Sequence, residues 1–277
     1  MKNIILTIFA FSMLSLTTIA NAKTIRIGTE GAYPPWNNLN AAGELEGAEI
    51  DFGNEACKRM GVDCEWITQD WDGIIPALLN GKYDIIIAGM SITEERKEKV
   101  NFTNGYMTDG ARFAVLKGSG LENLEVAGMD KVNLNDAGGK EQAAIGQLIA
   151  AMNGKTVCVQ SATIHQNFLD KHMAGAVEVK LYSDVDTTNL DLIAGRCDAI
   201  LADVGSTIDY MATDVGTNVA FTGPTFSGGV FGDGVGGAVR KEDFFILDMW
   251  NRAIAEMLAD GSLSDITKEH FGRDISM

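Results

Sequence analysis

The sequence predicts an α/β fold of two lobes, each built on its own sheet, with two crossing strands that form a hinge. Two successive sets of alternating strand and helix patterns with short connections are typical of parallel sheets covered by helices. A glycine-rich segment, SGGVFGDGVGGAVRKED at 227–243, follows the second set and is placed to return the chain to the first sheet. We therefore expect lobe 1 to comprise residues 23–112 with 236–277, and lobe 2 to comprise residues 113–235.

Residues 1–22 are predicted to be a cleaved secretory signal that is not part of the fold. Lys2 precedes an apolar run from Ile4 to Ile19, and Ala20-Asn21-Ala22 has the small-residue pattern of a cleavage site. The alternative is a membrane anchor, but the run contains serines and threonines and is shorter than the roughly 20 apolar residues of a span. We therefore expect export to the periplasm, and no cysteine follows the cleavage site to carry a lipid anchor.

Lobe 1 begins with a strand in KTIRIG, and the helix pattern in GAEIDFGNEACKRMG ends at Gly61. The next strand and helix patterns are CEWITQ, WDGIIPALLNGK, YDIIIAG and then GARFAVLKG, a strand that is followed by a long polar stretch. Lobe 2 repeats the alternation in KTVCVQ, TIHQNFLDKHM, AVEVKLY, TTNLDLIAG and CDAILAD. Two helices end the chain. Core packing is the prediction for the apolar residues on one face of the longer one: Phe245, Met249, Ile254, Met257 and Leu258.

The net charge of −16 excludes some classes of partner. Nucleic acids and anionic membranes are bound by basic surfaces, so neither is an expected partner. No second long apolar run follows the signal, so the exported product is predicted to be soluble.

Four cysteines occur in a chain that we expect to be exported, and disulfides persist in oxidising compartments. Cys57 ends a predicted helix and Cys64 begins a predicted strand, with a turn at Gly61 between them, so we predict a disulfide between these two. Zinc is disfavoured because the spacing is not C-x-x-C and the chain has three histidines. Cys158 and Cys197 each begin an apolar strand, and we expect buried free thiols there in preference to a second bridge.

Ligands of open α/β sheets bind at the carboxyl ends of the strands. The corresponding loops are TEGAYPPW, TQDWDG and AGMSITEER in lobe 1, and VQSATIH and LADVGS in lobe 2. A cleft between the two lobes is therefore the predicted binding site.

Arg96 follows the AGMSIT turn and is a candidate clamp for a carboxylate. Its guanidinium presents donors in a fixed fork that matches a carboxylate, and Ser91 with the backbone from Gly89 offers further donors. The alternative is a surface arginine that pairs with Glu94 or Glu95.

Asp203 ends CDAILAD and could accept an ammonium group; alternatively it caps the helix that follows, since aspartate is a favoured N-cap. Tyr33 and Trp71 could sandwich a flat or cationic side chain, with a cation–π contribution of roughly 0.5 to 2 kcal/mol. Glu30 could bind a distal cation on that side chain. Trp36 is assigned to packing.

The sequence gives little support for a catalytic function, because it lacks G-x-S-x-G, H-E-x-x-H and P-loop motifs. GDGVGG resembles a nucleotide-binding loop only loosely and does not open a helix. His165 is the only histidine in the cleft loops, and no nucleophile or second base can be assigned beside it. No cofactor or metal is expected.

The chain resembles the periplasmic solute-binding proteins of polar amino acid ABC importers, which form bacterial solute-binding protein family 3. It is most similar to the branch that binds lysine, arginine, ornithine and histidine and to its opine-binding relatives. The resemblance covers essentially all of the mature chain and rests on TEGAYPPW, GAEIDFGNEACKRMGVDC, DWDGIIPALLNGKYDIIIAGMSITEERKEKVNFT, VQSAT, AGRCDAILAD and GGVFGDGVGGAVRKED. It implies a type II periplasmic binding protein fold, closure on an amino acid, and delivery by a monomer to a permease in the inner membrane.

The resemblance also implies a role for each site residue. Arg96 is expected to bind the α-carboxylate of the ligand, assisted by Ser161 and Thr163 of VQSAT. Ser91, the Gly89 carbonyl and Asp203 are expected to bind the α-ammonium, with Ala88 beside them. Tyr33 and Trp71 are the expected stacking pair, Glu30 the reader of a distal cation, and Cys57–Cys64 the disulfide of cationic amino acid binders.

Three features depart from the family pattern: Ala48 replaces a large residue, Ala88 replaces a serine of some cationic binders, and residues 118–154 are longer than in the shortest members. Opines carry a substituted amine, whereas Ser91 and Asp203 suit a free ammonium. An opine or another polar amino acid remains an alternative ligand. An exported dehydratase of prephenate or arogenate type is the alternative of another class, with Glu30, Asp203 or His165 as its acid, and a sensor domain is a third.

Overall fold

The computed structural model describes residues 24–136 and 138–277, so the predicted signal at 1–22 lies outside the described residues. The strands are β1 Ile25–Thr29, β2 Ala32–Tyr33, β3 Asn37–Leu39, β4 Leu45–Glu46, β5 Cys64–Thr68, β6 Ile85–Ile86, β7 Asn101–Phe102, β8 Ala111–Leu116, β9 Lys131–Asn133, β10 Thr156–Gln160, β11 Glu178–Tyr182, β12 Ala199–Asp203, β13 Val219–Ser227 and β14 Ala238–Val239. The α-helices are α1 Ala48–Met60, α2 Ile74–Leu79, α3 Glu94–Lys97, α4 Gly139–Met152, α5 Ile164–His172, α6 Val185–Ile193, α7 Val204–Met211, α8 Phe244–Asp260 and α9 Ser262–Phe271.

The strands form two large sheets, and the two-lobe α/β fold is confirmed. The sheet of lobe 1 has the order β5-β1-β6-β14-β7, in which β5, β1 and β6 are parallel and β14 is antiparallel to both of its neighbours. The sheet of lobe 2 has the order β11-β10-β12-β8-β13-β9, with β10 parallel to both β11 and β12. A small antiparallel sheet, β2-β3-β4, lies beside lobe 1 in the loop after β1.

Two segments cross between the lobes and pair with each other. The chain leaves lobe 1 after β7 and enters β8, which begins at Ala111, and it returns to lobe 1 in β14. The Val235 N–H donates to the Met107 carbonyl (2.8 Å), and the Tyr106 N–H donates to the Val235 carbonyl (2.9 Å). These bonds join the two crossing segments side by side, which is the arrangement expected of a hinge.

Each lobe has its own apolar core. In lobe 1, α1, α8 and α9 bury Phe52, Trp250 and Phe271 against the sheet, and Trp36 is fully buried with its ring edge-on to Phe271. In lobe 2, Phe113, Phe168 and Phe226 form the centre of the core.

The expected apolar face of α8 is buried at Ile254 and Met257, but the expectation for Phe245 is wrong, since its side chain is exposed near the start of the helix. Ile246 in the same turn is buried in the core, so Phe245 lies on the outward side of the helix. Within residues 24–136 and 138–277, no helix is both long enough and apolar enough to cross a membrane.

The structure contains one disulfide in each lobe. Cys57–Cys64 is confirmed, with a Cα–Cα distance of 6.2 Å. Cys158 and Cys197 are also bonded, with a Cα–Cα distance of 5.9 Å, so the expectation of free thiols is wrong. The reason is the strand order: β10 and β12 are parallel neighbours in which Val157 pairs with Ala199, so a cysteine in β10 and one just before β12 meet at the same place.

Candidate functional site

One cavity lies between the lobes at the carboxyl ends of β1, β6, β10 and β12. Its walls are formed by Glu30, Tyr33, Trp71, Ala88, Gly89, Ser91 and Arg96 from lobe 1, and by Gln160, Thr163, Ile164, His165 and Asp203 from lobe 2. The cleft that the fold predicted is therefore present. It contains every expected ligand residue except Ser161.

Ser161 points away from this cavity. Its hydroxyl donates to Asp72 Oδ1 (2.8 Å) at the exposed rim of the cleft. Gln160, the last residue of β10, points into the cavity, and successive side chains of an extended chain point in opposite directions. Ser161 thus bridges the lobes outside the cavity.

Arg96 belongs to the short helix α3 and lines the cavity. The Thr93 hydroxyl accepts the Arg96 N–H (3.3 Å) and caps the helix. The guanidinium donates to the carbonyls of Ser91 (3.1 Å) and of Ala162 in lobe 2 (3.4 Å), and it lies 5.2 Å from the centre of the Trp71 ring. Ser91, whose carbonyl accepts the hydrogen bond from Arg96, also pairs with Val235 of the returning segment. The position of Arg96 is therefore connected to the hinge.

Among the described residues, no carboxylate lies within 4.0 Å of the Arg96 guanidinium. Glu94 pairs with Lys97 (2.8 Å), and Glu95 accepts a hydrogen bond from Asn167 (3.2 Å). Arg96 is therefore not the surface ion pair that the local sequence also allowed. Burial lowers its pKa to about 10, against the charges of Glu95 and Asp203, which raise it. An added anion beside the guanidinium would offset the free-energy cost of this desolvation.

Asp203 lies in the lobe 2 wall, at the N-terminus of α7. Its side chain makes no capping hydrogen bond to that helix. Instead Oδ2 accepts the hydroxyl of Tyr33 (2.6 Å) across the cleft, and Oδ1 lies 3.1 Å from His165 Nε2. Burial, followed by the charge of Asp203, holds the pKa of Tyr33 well above its usual range, so this phenol is a donor.

Glu30 occupies another part of the same cavity. It is buried, and Oε1 accepts a hydrogen bond from Gln160 Nε2 (2.6 Å), which also donates to the Ser183 carbonyl (3.0 Å). Burial raises the pKa of Glu30 to about 7, and the charge of Asp184 adds to this, while the hydrogen bond from Gln160 opposes it. Among the described residues, no cation is within ion-pair distance of this carboxylate.

The remaining wall is formed by Trp71, Tyr33 and the turn after β6. Trp71 Nε1 donates to the carbonyl of Ala162 (3.1 Å). Gly89 has a φ of +60°, and a Cβ atom there would lie 3.3 Å from the Tyr33 ring, so a side chain at this position would strain the turn. Ala88 is fully buried behind it.

Thr163 caps α5, because its hydroxyl accepts the Gln166 N–H (3.3 Å), and the same hydroxyl donates to the Gln160 carbonyl (2.7 Å). Gln160 and Ile164 line the cavity but were not predicted as site residues. The available signal was the position of Gln160 at the end of a predicted strand. Among the residues that the structure describes, no group of three or more His, Cys, Asp or Glu side chains is placed to hold a metal ion.

Comparison with known proteins identifies the family. The model of the bacterial extracellular solute-binding proteins, family 3, matches residues 25–273. The chain is 37% identical to an L-arginine-binding protein of Pseudomonas aeruginosa, over 96% of this chain and 95% of that protein. It is 38% identical to an octopine-binding periplasmic protein of Rhizobium meliloti, over 81% of this chain and 76% of that protein.

Two solved structures have the same fold. An ancestral arginine-binding protein bound to arginine matches with a TM-score of 0.75 and 33% identity, over 90% of this chain and 98% of that chain. An ancestral amino acid-binding protein, described as a precursor of cyclohexadienyl dehydratase, matches with a TM-score of 0.73 and 26% identity, over 90% of this chain and 95% of that chain.

Proposed function

The chain belongs to the bacterial extracellular solute-binding proteins of family 3, and we propose that it captures an amino acid with a cationic side chain and delivers it to an ABC permease. Arginine, lysine, ornithine and histidine are the ligands of this class. In this proposal the protein acts as a periplasmic monomer, with lobe 1 at 23–112 and 236–277 and lobe 2 at 113–235.

The observation that carries the proposal is the charge pattern of one cavity. Arg96 is a partly buried cation with no carboxylate partner among the described residues, and Glu30 is a buried carboxylate with no cation partner among them. Asp203 is a third charged group in the same wall. An α-carboxylate on Arg96, an α-ammonium on Asp203 and a distal cation on Glu30 would complement all three.

The binding energy required is modest. Micromolar affinity corresponds to about −8 kcal/mol, and a net contribution of roughly 1.5 to 3 kcal/mol for each hydrogen bond to a charged group means that a few such bonds suffice. Trp71 and Tyr33 would add contact with the aliphatic and cationic parts of the side chain.

We propose that capture occurs by closure about the crossing segments. The contacts that join the lobes across the cavity include Tyr33 to Asp203 and Gln160 to Glu30. Trp71 and Arg96 both donate to the carbonyl of Ala162. Lobe 1 supplies Arg96 and Glu30, and lobe 2 supplies Asp203 and the Gln160 amide when the lobes close. The ammonium group of the ligand therefore shares Asp203 with Tyr33 and His165.

Opines are less well matched to this cavity. A substituted amine presents fewer N–H groups to Asp203, which already accepts the Tyr33 hydroxyl. The adjoining cavity on the hinge side is lined by a second carboxylate, Asp109, together with Asp203. Asp109 is ion-paired with Arg273 (2.7 Å), so the like charge that the additional carboxylate of an opine would meet there is that of Asp203.

The proposed function is tested by thermal shift on mature protein that has been unfolded and refolded to remove carried-over ligand. The panel contains L-arginine, L-lysine, L-ornithine, L-histidine, L-glutamine, L-glutamate, octopine and nopaline. A tight ligand raises the melting temperature by mass action, and we expect the largest shifts with the cationic amino acids. A shift with opines alone, or with no member of the panel, would contradict the proposal.

A dehydratase is the second candidate, favoured by one observation: the raised pKa of Glu30, about 7, would allow this carboxyl to act as a general acid. We propose that the protein is not an enzyme, and the test is incubation with prephenate and with arogenate followed by chromatography of the products. We expect no turnover, and conversion of either compound above the buffer rate would establish the second candidate.

A further inference from the structure

Glu49 is a fully buried carboxylate that does not line the cavity. It lies in the first turn of α1, and three donors surround it. Oε1 accepts the Gly89 N–H (2.7 Å) and the hydroxyl of Tyr106, and Oε2 accepts Asn37 Nδ2 (2.7 Å). Each donor belongs to a different segment of lobe 1.

The bond to Gly89 fixes the turn that follows β6. Gly89 lines the cavity, has a φ of +60° and lies against the Tyr33 ring, so the direction of its carbonyl depends on how its peptide planes are held. The family resemblance implies that this carbonyl binds the α-ammonium of the ligand together with Asp203. Glu49 holds the N–H of the same residue.

The bond to Asn37 reaches the loop that contains Glu30. Asn37 Oδ1 accepts the N–H of Gly31 (2.8 Å), the residue directly after Glu30, while its Nδ2 donates to Glu49. Both ends of the Asn37 amide are therefore engaged, and its orientation is fixed.

The bond to Tyr106 reaches the hinge. Tyr106 is fully buried, its ring stacks on Phe52 of α1 with the centroids 4.3 Å apart, and its N–H donates to the carbonyl of Val235 in the returning segment. Glu49 thus contacts one crossing segment directly and reaches the other through a single residue.

We propose that Glu49 is a positioning residue that ties two of the three ligand-facing loops of lobe 1, TEGAYPPW and AGMSITEER, to the hinge, so that capture of an amino acid depends on its carboxylate. It does not touch the ligand. It sets the direction of the Gly89 peptide and the place of Glu30, and it transmits the position of the crossing segments to both.

The ionised form of Glu49 is the form that fits this network. Burial raises its pKa, while the hydrogen bonds from Tyr106, Gly89 and Asn37 oppose that rise because each is donated to the carboxylate. A glutamine at this position would bring an N–H₂ group against Asn37 Nδ2, or against Gly89 N–H and Tyr106. Because Asn37 Oδ1 is committed to Gly31, the Asn37 amide cannot rotate to accept it without losing that bond.

The experiment measures arginine affinity by calorimetry and the free energy of unfolding by urea for the wild type, Glu49→Gln, Tyr106→Phe and Tyr83→Phe. Tyr83 is the matched control, because it is also a fully buried tyrosine of lobe 1, and its hydroxyl donates to the carbonyl of Ile74, outside this network. We expect Tyr83→Phe and Tyr106→Phe to lose comparable stability, since each loses one buried hydrogen bond.

The change in arginine affinity distinguishes a positioning role of Glu49 from a contribution to packing alone. In Glu49→Gln the Gly89 turn and the Glu30 loop are no longer held in the binding geometry. If restoring that geometry on binding costs as much as one unsatisfied buried polar group, a factor of about 5 to 150, arginine should bind roughly 10- to 100-fold more weakly. For Tyr106→Phe we expect a loss of about 3- to 10-fold with slower closing of the lobes, measured by stopped-flow tryptophan fluorescence, and for Tyr83→Phe no change. Wild-type affinity in both Glu49→Gln and Tyr106→Phe would overturn the inference.

The inference rests on the proposed function. Amino acid binding by the wild type therefore tests the proposed function, and it is also the reference for the variants that test Glu49. A wild type that binds no amino acid of the panel would reject the proposed function, and a wild type that binds arginine beside unchanged variants would reject only the role of Glu49. If Glu49→Gln does not fold, Tyr106→Phe decides the matter alone, since it removes one oxygen from a side chain that keeps its stacking on Phe52.

Discussion

The parts of the cavity wall around Arg96 and around Glu30, called the Arg96 end and the Glu30 end, are built differently. Arg96 is held by two carbonyl acceptors, one of them from its own lobe, and it stands against Trp71 of lobe 1. Among the side chains that the structure describes, Glu30 accepts one hydrogen bond, from Gln160 of the opposite lobe. Burial acts on both, lowering the pKa of Arg96 and raising that of Glu30. The Arg96 end is therefore formed mainly within lobe 1, whereas the Glu30 end is completed by a residue of lobe 2.

The largest expected effect is at the Arg96 end. Two charge-assisted hydrogen bonds to a carboxylate at roughly 1.5 to 3 kcal/mol each correspond to a factor on the order of 10² to 10⁴ in affinity. We expect Arg96→Ala to lose that factor for every amino acid, with Arg96→Lys intermediate because it keeps the charge without the fork. Calorimetric titration measures this, and the exposed Arg252→Ala is the control. Full affinity of Arg96→Ala for any amino acid of the panel would remove Arg96 from the site.

The Glu30 end is expected to discriminate among ligands. Glu30→Gln keeps the shape but removes the charge, so we expect arginine and lysine to bind about 10- to 100-fold more weakly while the affinity for glutamine changes little. Competition titrations of the variant beside Glu94→Gln, a strongly exposed control, give the comparison. Equal losses for arginine and glutamine would mean that Glu30 supports the cavity without reading the side chain.

The pH dependence of binding sharpens the same comparison. With a pKa of about 7, Glu30 is largely protonated below neutral pH, and a cationic ligand favours its ionised form. Binding of arginine must then release a proton, so we expect affinity to fall by up to about tenfold per unit as pH drops from 7 toward 5, and to level off above pH 8. Calorimetry in buffers of different ionisation enthalpy measures the proton release. In Glu30→Gln the pH dependence of arginine binding should largely vanish. A pH dependence that persists in this variant would belong to another titrating group.

The smallest expected effect on binding comes from the disulfides, because neither lies in the cavity wall. The two disulfides differ in their expected contributions to the free energy of unfolding. The Cys158–Cys197 loop spans 39 residues and the Cys57–Cys64 loop spans 7. The chain-entropy relation then gives about 4 kcal/mol for Cys158→Ala/Cys197→Ala and about 2.5 kcal/mol for Cys57→Ala/Cys64→Ala. Urea unfolding measures the losses, while arginine affinity should stay within about twofold for both folded variants. A changed affinity would show that a disulfide positions the site.

The contrast between the Arg96 end and the Glu30 end also explains which site residues could be predicted from the sequence. The strand and helix patterns predicted the alternating elements of both lobes, and AGMSITEER carries Ser91 and Arg96 in one contiguous segment. Gln160 could not be assigned in this way, because its partner Glu30 is far away in the chain and meets it only across the cleft. Cys158 and Cys197 likewise meet only once β10 and β12 are known to be neighbours.

Glu49 was missed for a different reason. It lies at a position of α1 that reads as an ordinary polar residue in the first turn, where acidic side chains favour the helix dipole. Its burial depends on three segments, at Asn37, Gly89 and Tyr106, that come together only in the folded lobe. A local pattern contains no signal for such a convergence.

The most direct test of the central claim is calorimetric titration of the refolded mature protein with L-arginine and with L-citrulline. The two ligands share the α-carboxylate, the α-ammonium and almost the same shape, and they differ in the charge at the distal end. We expect the wild type to bind arginine at least about tenfold more tightly than citrulline, and Glu30→Gln to lose most of that difference. Equal affinities of the wild type for the two ligands would contradict the claim that the cavity reads a cationic side chain.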